Sequence, residues 1–294
     1  TILGGQGGLV PNTLSETNYL PELSQTWSTA KVAKVTLAST DRSVLIFGGG
    51  FDVDHDTTGT ARTPDDSGRA VYMVDVYTGA LVWWAGKPPA AVGAPDPNLD
   101  LSAMDYAIPG DIRLVDIDGD TYTDRMYAAD LGGQVWRFDI TNGATSANAL
   151  VSATVLADLQ RTTGAGAATV ASNRKFFYSP DVSLVVSEDQ APFIAVALGS
   201  GNRSHPLDTA VQDRFYMIKD KNPFSKPASY DTTVYEGTLL DTTTDLSPDV
   251  SNYDGWFLQL TNGTGASVGS YVGEKVLSES VTFDGAIIFT TFTP

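Results

Sequence analysis

Short apolar runs closed by glycine recur along the chain, and this punctuation does most to limit the fold. Ser43-Val-Leu-Ile-Phe47 ends in Gly48-Gly49-Gly50, and Ala70-Val-Tyr-Met-Val-Asp75 turns through Tyr77-Thr-Gly-Ala80 into Leu81-Val-Trp-Trp84. Arg125-Met-Tyr-Ala-Ala-Asp130 and Gln134-Val-Trp-Arg-Phe-Asp139 flank Leu131-Gly132-Gly133. Pro192-Phe-Ile-Ala-Val-Ala-Leu198 runs into Gly199-Ser-Gly201 and is followed by Arg214-Phe-Tyr-Met-Ile-Lys219, Gly255-Trp-Phe-Leu-Gln-Leu260 and Ala286-Ile-Ile-Phe-Thr-Thr-Phe292. Runs of this length, rich in β-branched and aromatic residues and bounded by glycine, read as strands. Pairs joined by a few turn residues read as hairpins. Helical periodicity is weak throughout; the best candidate, near Ser146 to Leu159, is short and interrupted by Thr and Val. The expected class is all-β.

A loose internal repeat narrows the architecture. Ile46-Phe-Gly-Gly-Gly50, a polar loop and Val71-Tyr-Met-Val74 form one copy; Ala197-Leu-Gly-Ser-Gly201, a polar loop and Phe215-Tyr-Met-Ile218 form another. Repeats of a few dozen residues with four strands or fewer suggest propeller blades, whose ring arrangement protects strand edges. The expected fold is a modified β-propeller, with a β-sandwich as the alternative. The loop from Phe51 to Gly68 exceeds ordinary hairpin length, and loops of that size are usually functional or disordered.

Composition removes several functions. The 294 residues include 35 acidic and 18 basic side chains, for a net charge of −17. Such a chain repels nucleic acid and anionic membrane surfaces, and suits divalent cations as companions. Cysteine is absent, so no disulfide or thiolate site forms within these residues. No apolar run approaches the roughly 20 residues of a membrane span. The chain opens at Thr1 into Ile2-Leu-Gly-Gly-Gln-Gly-Gly8 and ends at Pro294 after a strand-like run, which reads as a fragment (residues 1–294) of a longer protein.

The densest chemistry lies in Asp116-Ile-Asp-Gly-Asp-Thr-Tyr-Thr-Asp124. Oxygens at every second residue of a tight loop can face one small volume. Like charges collected there favour a hard divalent ion that takes six to eight oxygens at about 2.3–2.6 Å, and calcium suits this best. The expected ligands are the side chains of Asp116, Asp118, Asp120 and Asp124 with the carbonyl of Tyr122. The loop is not an EF-hand: Thr121 stands at position 6 and Tyr127 at position 12, where that motif needs Gly and Glu. Magnesium fits less well, because it keeps its waters and demands octahedral geometry.

Asp52-Val-Asp-His-Asp56 is a second D-x-D-x-D, but it lacks glycine between its aspartates and a closing carboxylate. A solvated loop tip is the plainer reading there, with a second cation site at Asp52, Asp54 and Asp56 left open and His55 expected to be exposed. Catalysis finds little support. His55 and His205 both lie in polar stretches, and neither G-x-S-x-G nor H-E-x-x-H occurs. No catalytic or cofactor-binding residue is expected. The glycines at 48–50 and 199–201 follow strands without opening helices, so they read as turn glycines and not phosphate cradles. Trp83-Trp84 and Phe176-Phe177 read as core.

Five segments carry a family resemblance: Gln25-Thr-Trp-Ser-Thr29, Phe47-Gly-Gly-Gly-Phe-Asp52, Ala70 to Gly79, Asp116 to Asp139, and Gly273-Glu-Lys-Val-Leu-Ser278 running on to Phe283-Asp-Gly-Ala-Ile-Ile-Phe289. Together they resemble the C-terminal β-propeller of the PilC/PilY family, type IV pilus tip-associated adhesins and biogenesis factors. The resemblance implies a D-x-D-x-D-x-x-x-D calcium loop at Asp116, Asp118, Asp120, Tyr122 (main chain) and Asp124. It also implies an extracellular or outer-membrane protein at the pilus tip, acting in pilus extension and retraction and in adhesion, with pilin subunits and a surface or host receptor as partners. No Arg-Gly-Asp tripeptide occurs, so integrin binding is not implied. Two rivals stand beside this reading. One is a quinoprotein-like propeller dehydrogenase, suggested by the run from Asp75 through Thr78-Gly79 to Trp83. The other is an integrin-like calcium propeller of another adhesin.

Overall fold

The computed structural model describes residues 3–4, 19–89, 94–164, 169–188, 190–230, 233–245, 247–262 and 269–294, with the backbone alone at residues 3, 4, 19 and 55. Most of the glycine-rich opening from Ile2 to Gly8 and the side chain of His55 therefore lie outside the described residues. Strands β1 (Leu3–Gly4) and β2 (Tyr19–Leu20) pair in parallel. Then follow β3 (Lys31–Leu37), β4 (Thr40–Gly48), β5 (Ala70–Asp75), β6 (Leu81–Gly86), β7 (Leu99–Asp100), β8 (Arg113–Val115), β9 (Arg125–Ala129), β10 (Gln134–Ile140) and β11 (Val151–Asp158). The remainder are β12 (Asp181–Val185), β13 (Phe193–Gly199), β14 (Arg214–Asp220), β15 (Val234–Tyr235), β16 (Leu240–Asp241), β17 (Gly255–Gln259), β18 (Lys275–Val276), β19 (Val281–Phe283), β20 (Ala286–Ile288) and β21 (Thr291–Phe292).

Three five-stranded sheets dominate, with orders β3-β4-β5-β6-β7, β15-β11-β10-β9-β8 and β12-β13-β14-β17-β16. They share a plan: four longer strands and one short strand added in parallel at one edge, as β7 on β6, β15 on β11 and β16 on β17. The all-β expectation is met. Among the described residues each sheet is open, with two edge strands, and none closes on itself. The segment from Ser146 to Leu159, the best of the weak helical candidates, is a 3-10 turn at Ala147–Ala149 followed by β11. The β-branched Val151, Thr154 and Val155 suit a pleated strand, and β10 is there to pair with it.

The chain folds as two compact units. One comprises Thr1–His55, Pro64–Ala128 and Arg137–Ala153; the other comprises Asp56–Thr63, Ala129–Trp136 and Thr154–Pro294. In the first, Leu20, Leu23, Phe47, Ala70, Tyr72, Val74 and Trp84 form one apolar cluster. In the second, Ala197, Phe215, Leu260 and Val276 form a cluster onto which Trp256, Ile287 and Phe289 pack. Trp83-Trp84 and Phe176-Phe177 are buried, as expected of core residues.

The sequence repeat is a structural one. Phe47 pairs with Tyr72 and Gly48 with Val71 in the first unit; Leu198 pairs with Tyr216 and Gly199 with Phe215 in the second. The strand-ending glycine has the same cause in both copies. A Cβ on Gly48 would stand 2.4 Å from the carbonyl oxygen of Ile108, and one on Gly199 would stand 2.3 Å from Cγ2 of Val276. Turn chemistry fixes the hairpins. Asp75 Oδ1 accepts the amides of Tyr77 (3.0 Å) and Thr78 (2.8 Å) ahead of β6. Asp130 Oδ1 accepts those of Gly132 (2.8 Å) and Gln134 (2.9 Å) between β9 and β10.

Candidate metal centre

The acidic loop joins β8 to β9 within the first unit. Its ends are tied by main-chain bonds: Asp124 N–H donates to Val115 O (2.9 Å), and Ile140 N–H donates to Asp124 O (2.7 Å). Between these ties the aspartates shape the loop themselves. Asp116 accepts the amides of Gly119 (Oδ1, 2.7 Å) and Thr121 (Oδ2, 2.9 Å). Asp118 Oδ1 accepts that of Asp120 (3.1 Å), and Asp120 Oδ1 accepts that of Tyr122 (2.8 Å). Both Gly119 (φ 81°) and Thr121 (φ 78°) take left-handed backbone. Glycine does so freely, whereas threonine does so at a cost.

This winding brings Asp116, Asp118 and Asp120 together: one carboxylate oxygen from each lies within 4.8 Å of the others, and all three residues are exposed. Ligand oxygens held about 2.3–2.6 Å from a calcium ion are separated by at most about 4.6–5.2 Å, so the three fit one coordination sphere. Each oxygen keeps a lone pair beyond its amide bond. Asp124 is placed differently. It stands outside that group, with Oδ2 accepting the amide of Ile117 (2.7 Å). Burial, and then the charges of Asp118, Asp120 and Asp116, push its pKa up. The loop thus converges on three of the four expected carboxylates and holds the fourth as a brace close enough to feel their field.

Sequence reasoning missed what holds Tyr122. Its hydroxyl donates to Asp41 Oδ2 (2.8 Å), and Lys34 Nζ lies 4.0 Å from its ring centroid and 3.6 Å from Asp41. Hydrogen bonds from Tyr122 and Thr36 hold the Asp41 carboxyl below the usual range. Lys34 and Asp41 lie on β3 and β4, about eighty residues from Tyr122, and no local pattern marks them. The buried anchor of β9 and β10 left a clearer signal, since Arg125, Arg137 and Asp139 interrupt apolar runs. Asp139 accepts Arg125 Nε (2.8 Å) and Arg137 Nε and Nη2 (both 2.9 Å).

The second D-x-D-x-D does not converge. Asp52 is buried and spends both oxygens inside its own loop, on the amides of Asp54 (3.0 Å), Asp66 (3.1 Å) and Ser67 (2.8 Å) and on Ser67 Oγ (3.0 Å). Asp54 is exposed, and the exposed Asp56 meets His205 Nε2 at 2.8 Å. Asp52 is therefore a pin for the long loop.

The chain is thus all-β, with repeated five-stranded sheets and a loop on which three carboxylates converge. No protein-family model matches it. A type IV pilus biogenesis factor PilY1 homolog from Xylella fastidiosa is 29% identical over 138 residues, which is 45% of this chain and 8% of that protein. The crystal structure of the Pseudomonas aeruginosa PilY1 C-terminal domain matches with a TM-score of 0.60 at 19% identity, covering 93% of this chain and 57% of the solved one. This chain spans little over half of that domain and a small part of the curated relative. The two matches make this chain similar in fold to the PilY1 C-terminal domain and similar in part of its sequence to a PilY1 homolog.

Proposed function

We propose that this chain is a calcium-binding, non-enzymatic domain of a type IV pilus-associated protein, acting outside the cell at the pilus tip or outer-membrane surface. Its role is in pilus extension and retraction and in surface adhesion, with pilin subunits, and a surface or host receptor, as partners. The observation that carries this reading is the convergence of Asp116, Asp118 and Asp120, in a chain whose curated relative is named a type IV pilus biogenesis factor. Side chains of those three residues would hold the ion, with Asp124 and the Tyr122 carbonyl completing the set. The ion would supply positive charge that offsets the carboxylates and favours the folded loop by mass action. The chain's own part is to orient oxygens: four loop amides fix the three carboxylates before any ion arrives. We read the shared strand plan of the three sheets as blades of a modified β-propeller.

Isothermal titration tests the site. Calcium should bind the wild type at one site, and Asp120→Ala should abolish that binding while far-UV circular dichroism stays unchanged. Undiminished calcium affinity in the variant would refute the ligand set. Retention of purified pilin subunits on the immobilised chain tests the pilus role, and failure to retain any of them would count against it.

A further inference from the structure

The acidic loop also covers a sheet edge. Among the described residues β3 is the outermost strand of its sheet, and the backbone groups facing away from β4 have no partner strand there. From the Lys34 carbonyl to the Ala38 amide four of these groups are nevertheless taken. Lys34 O accepts Thr123 N–H (2.9 Å), and Thr36 O accepts Gly143 N–H (2.8 Å). Thr36 N–H donates to Asn142 Oδ1 (2.9 Å), and Ala38 N–H donates to Ala144 O (2.7 Å). Asn142 joins the two halves of this cover, since its Nδ2 donates to Thr123 O (3.1 Å). The residue before Thr123 is Tyr122, whose hydroxyl and ring are gripped by Asp41 and Lys34 on the same β3–β4 hairpin.

We propose that Tyr122 and Thr123 form a latch through which ion binding in the acidic loop controls whether the β3 edge stays closed. This rests on the calcium reading above. Tyr122 is a positioning residue: its amide fixes Asp120 on one side, and its phenol and its neighbour's amide fix the hairpin on the other. With the loop held by an ion, Thr123 and Asn142 stay seated on the edge. With the loop loosened, Thr36 and Ala38 lose their cover, and an uncovered edge is a template for an added strand. The hinge is short, because only Thr121 and Tyr122 separate Asp120 from Thr123.

Residue-resolved amide hydrogen exchange on the full chain tests the latch. In the wild type, calcium should slow exchange at Thr123, Thr36 and Ala38 by about tenfold or more, as expected for a charge-assisted hydrogen bond that couples the elements. In Asp41→Asn, which leaves every expected ligand in place and takes the charge from the acceptor of the Tyr122 hydroxyl, titration should still show calcium binding, but the added protection at Thr36 and Ala38 should fall to about twofold or less. If the wild type binds no calcium, the metal reading fails and the latch falls with it. If it binds calcium while Thr36 and Ala38 respond equally in both proteins, or in neither, the latch alone is overturned.

Discussion

Asp120→Asn should cost stability only when calcium is present. Without divalent ions, the wild type carries three carboxylates whose nearest oxygens lie within 4.8 Å of one another. At such separations each pair repels by about 1 kcal/mol in a water-like dielectric. Removing one charge abolishes two such pairs, and screening at physiological salt brings the relief to about 1 kcal/mol. Asparagine still accepts the Tyr122 amide through Oδ1, but as a neutral acceptor, which gives back part of that gain. The variant should therefore match the wild type in chelator, within about 1 kcal/mol. At a calcium concentration about a hundredfold above the dissociation constant, the wild type gains about 2.7 kcal/mol. The variant, having lost a ligand, gains little. For a chain of this size that corresponds to about 5–10 °C in melting temperature. Differential scanning fluorimetry in chelator and in calcium reads both limits. Equal calcium-induced shifts in the two proteins, or no shift in the wild type, would refute the reasoning.

Three further outcomes follow from the core. Asp139→Ala removes the carboxylate to which the buried guanidiniums of Arg125 and Arg137 both donate, and should cost about 3–5 kcal/mol in urea denaturation, a large share of a typical domain's stability. Gly199→Ala places a methyl group 2.3 Å from Val276 Cγ2, and should cost about 1–3 kcal/mol by overpacking, read as a lowered denaturation midpoint. Burial pushes Asp130 up to about 7 and Asp213 up to about 6, from an unfolded value of 3.8. The folded chain therefore holds protons there that the unfolded chain has released, so the contribution of these two groups to stability falls as pH rises from about 4 to about 7. Asp213→Asn keeps an acceptor for Ser200 Oγ and should flatten the part of that slope below about pH 6 in denaturation curves; an unaltered slope would show that Asp213 titrates normally.

What the residues alone determined is local. Short apolar runs and the turn chemistry of Asp75, Asp130 and their glycines act over a few residues, so the β5–β6 and β9–β10 hairpins could be read directly. The winding of Asp116 to Asp120 is legible for the same reason, because each carboxylate is held by an amide two to five residues away. The segment at Ser146 to Leu159, where helical periodicity is weak, shows where local preference stops deciding, since its strand state depends on a place beside β10. Tertiary structure decided that Asp124 braces the loop while its neighbours converge, and that Asp52 turns inward to pin a loop instead of facing a cation. It alone joined Tyr122 to Asp41 and Thr123 to Lys34. Those bonds link residues about eighty or more positions apart, and their geometry exists only once the sheets have brought the distant segments into register.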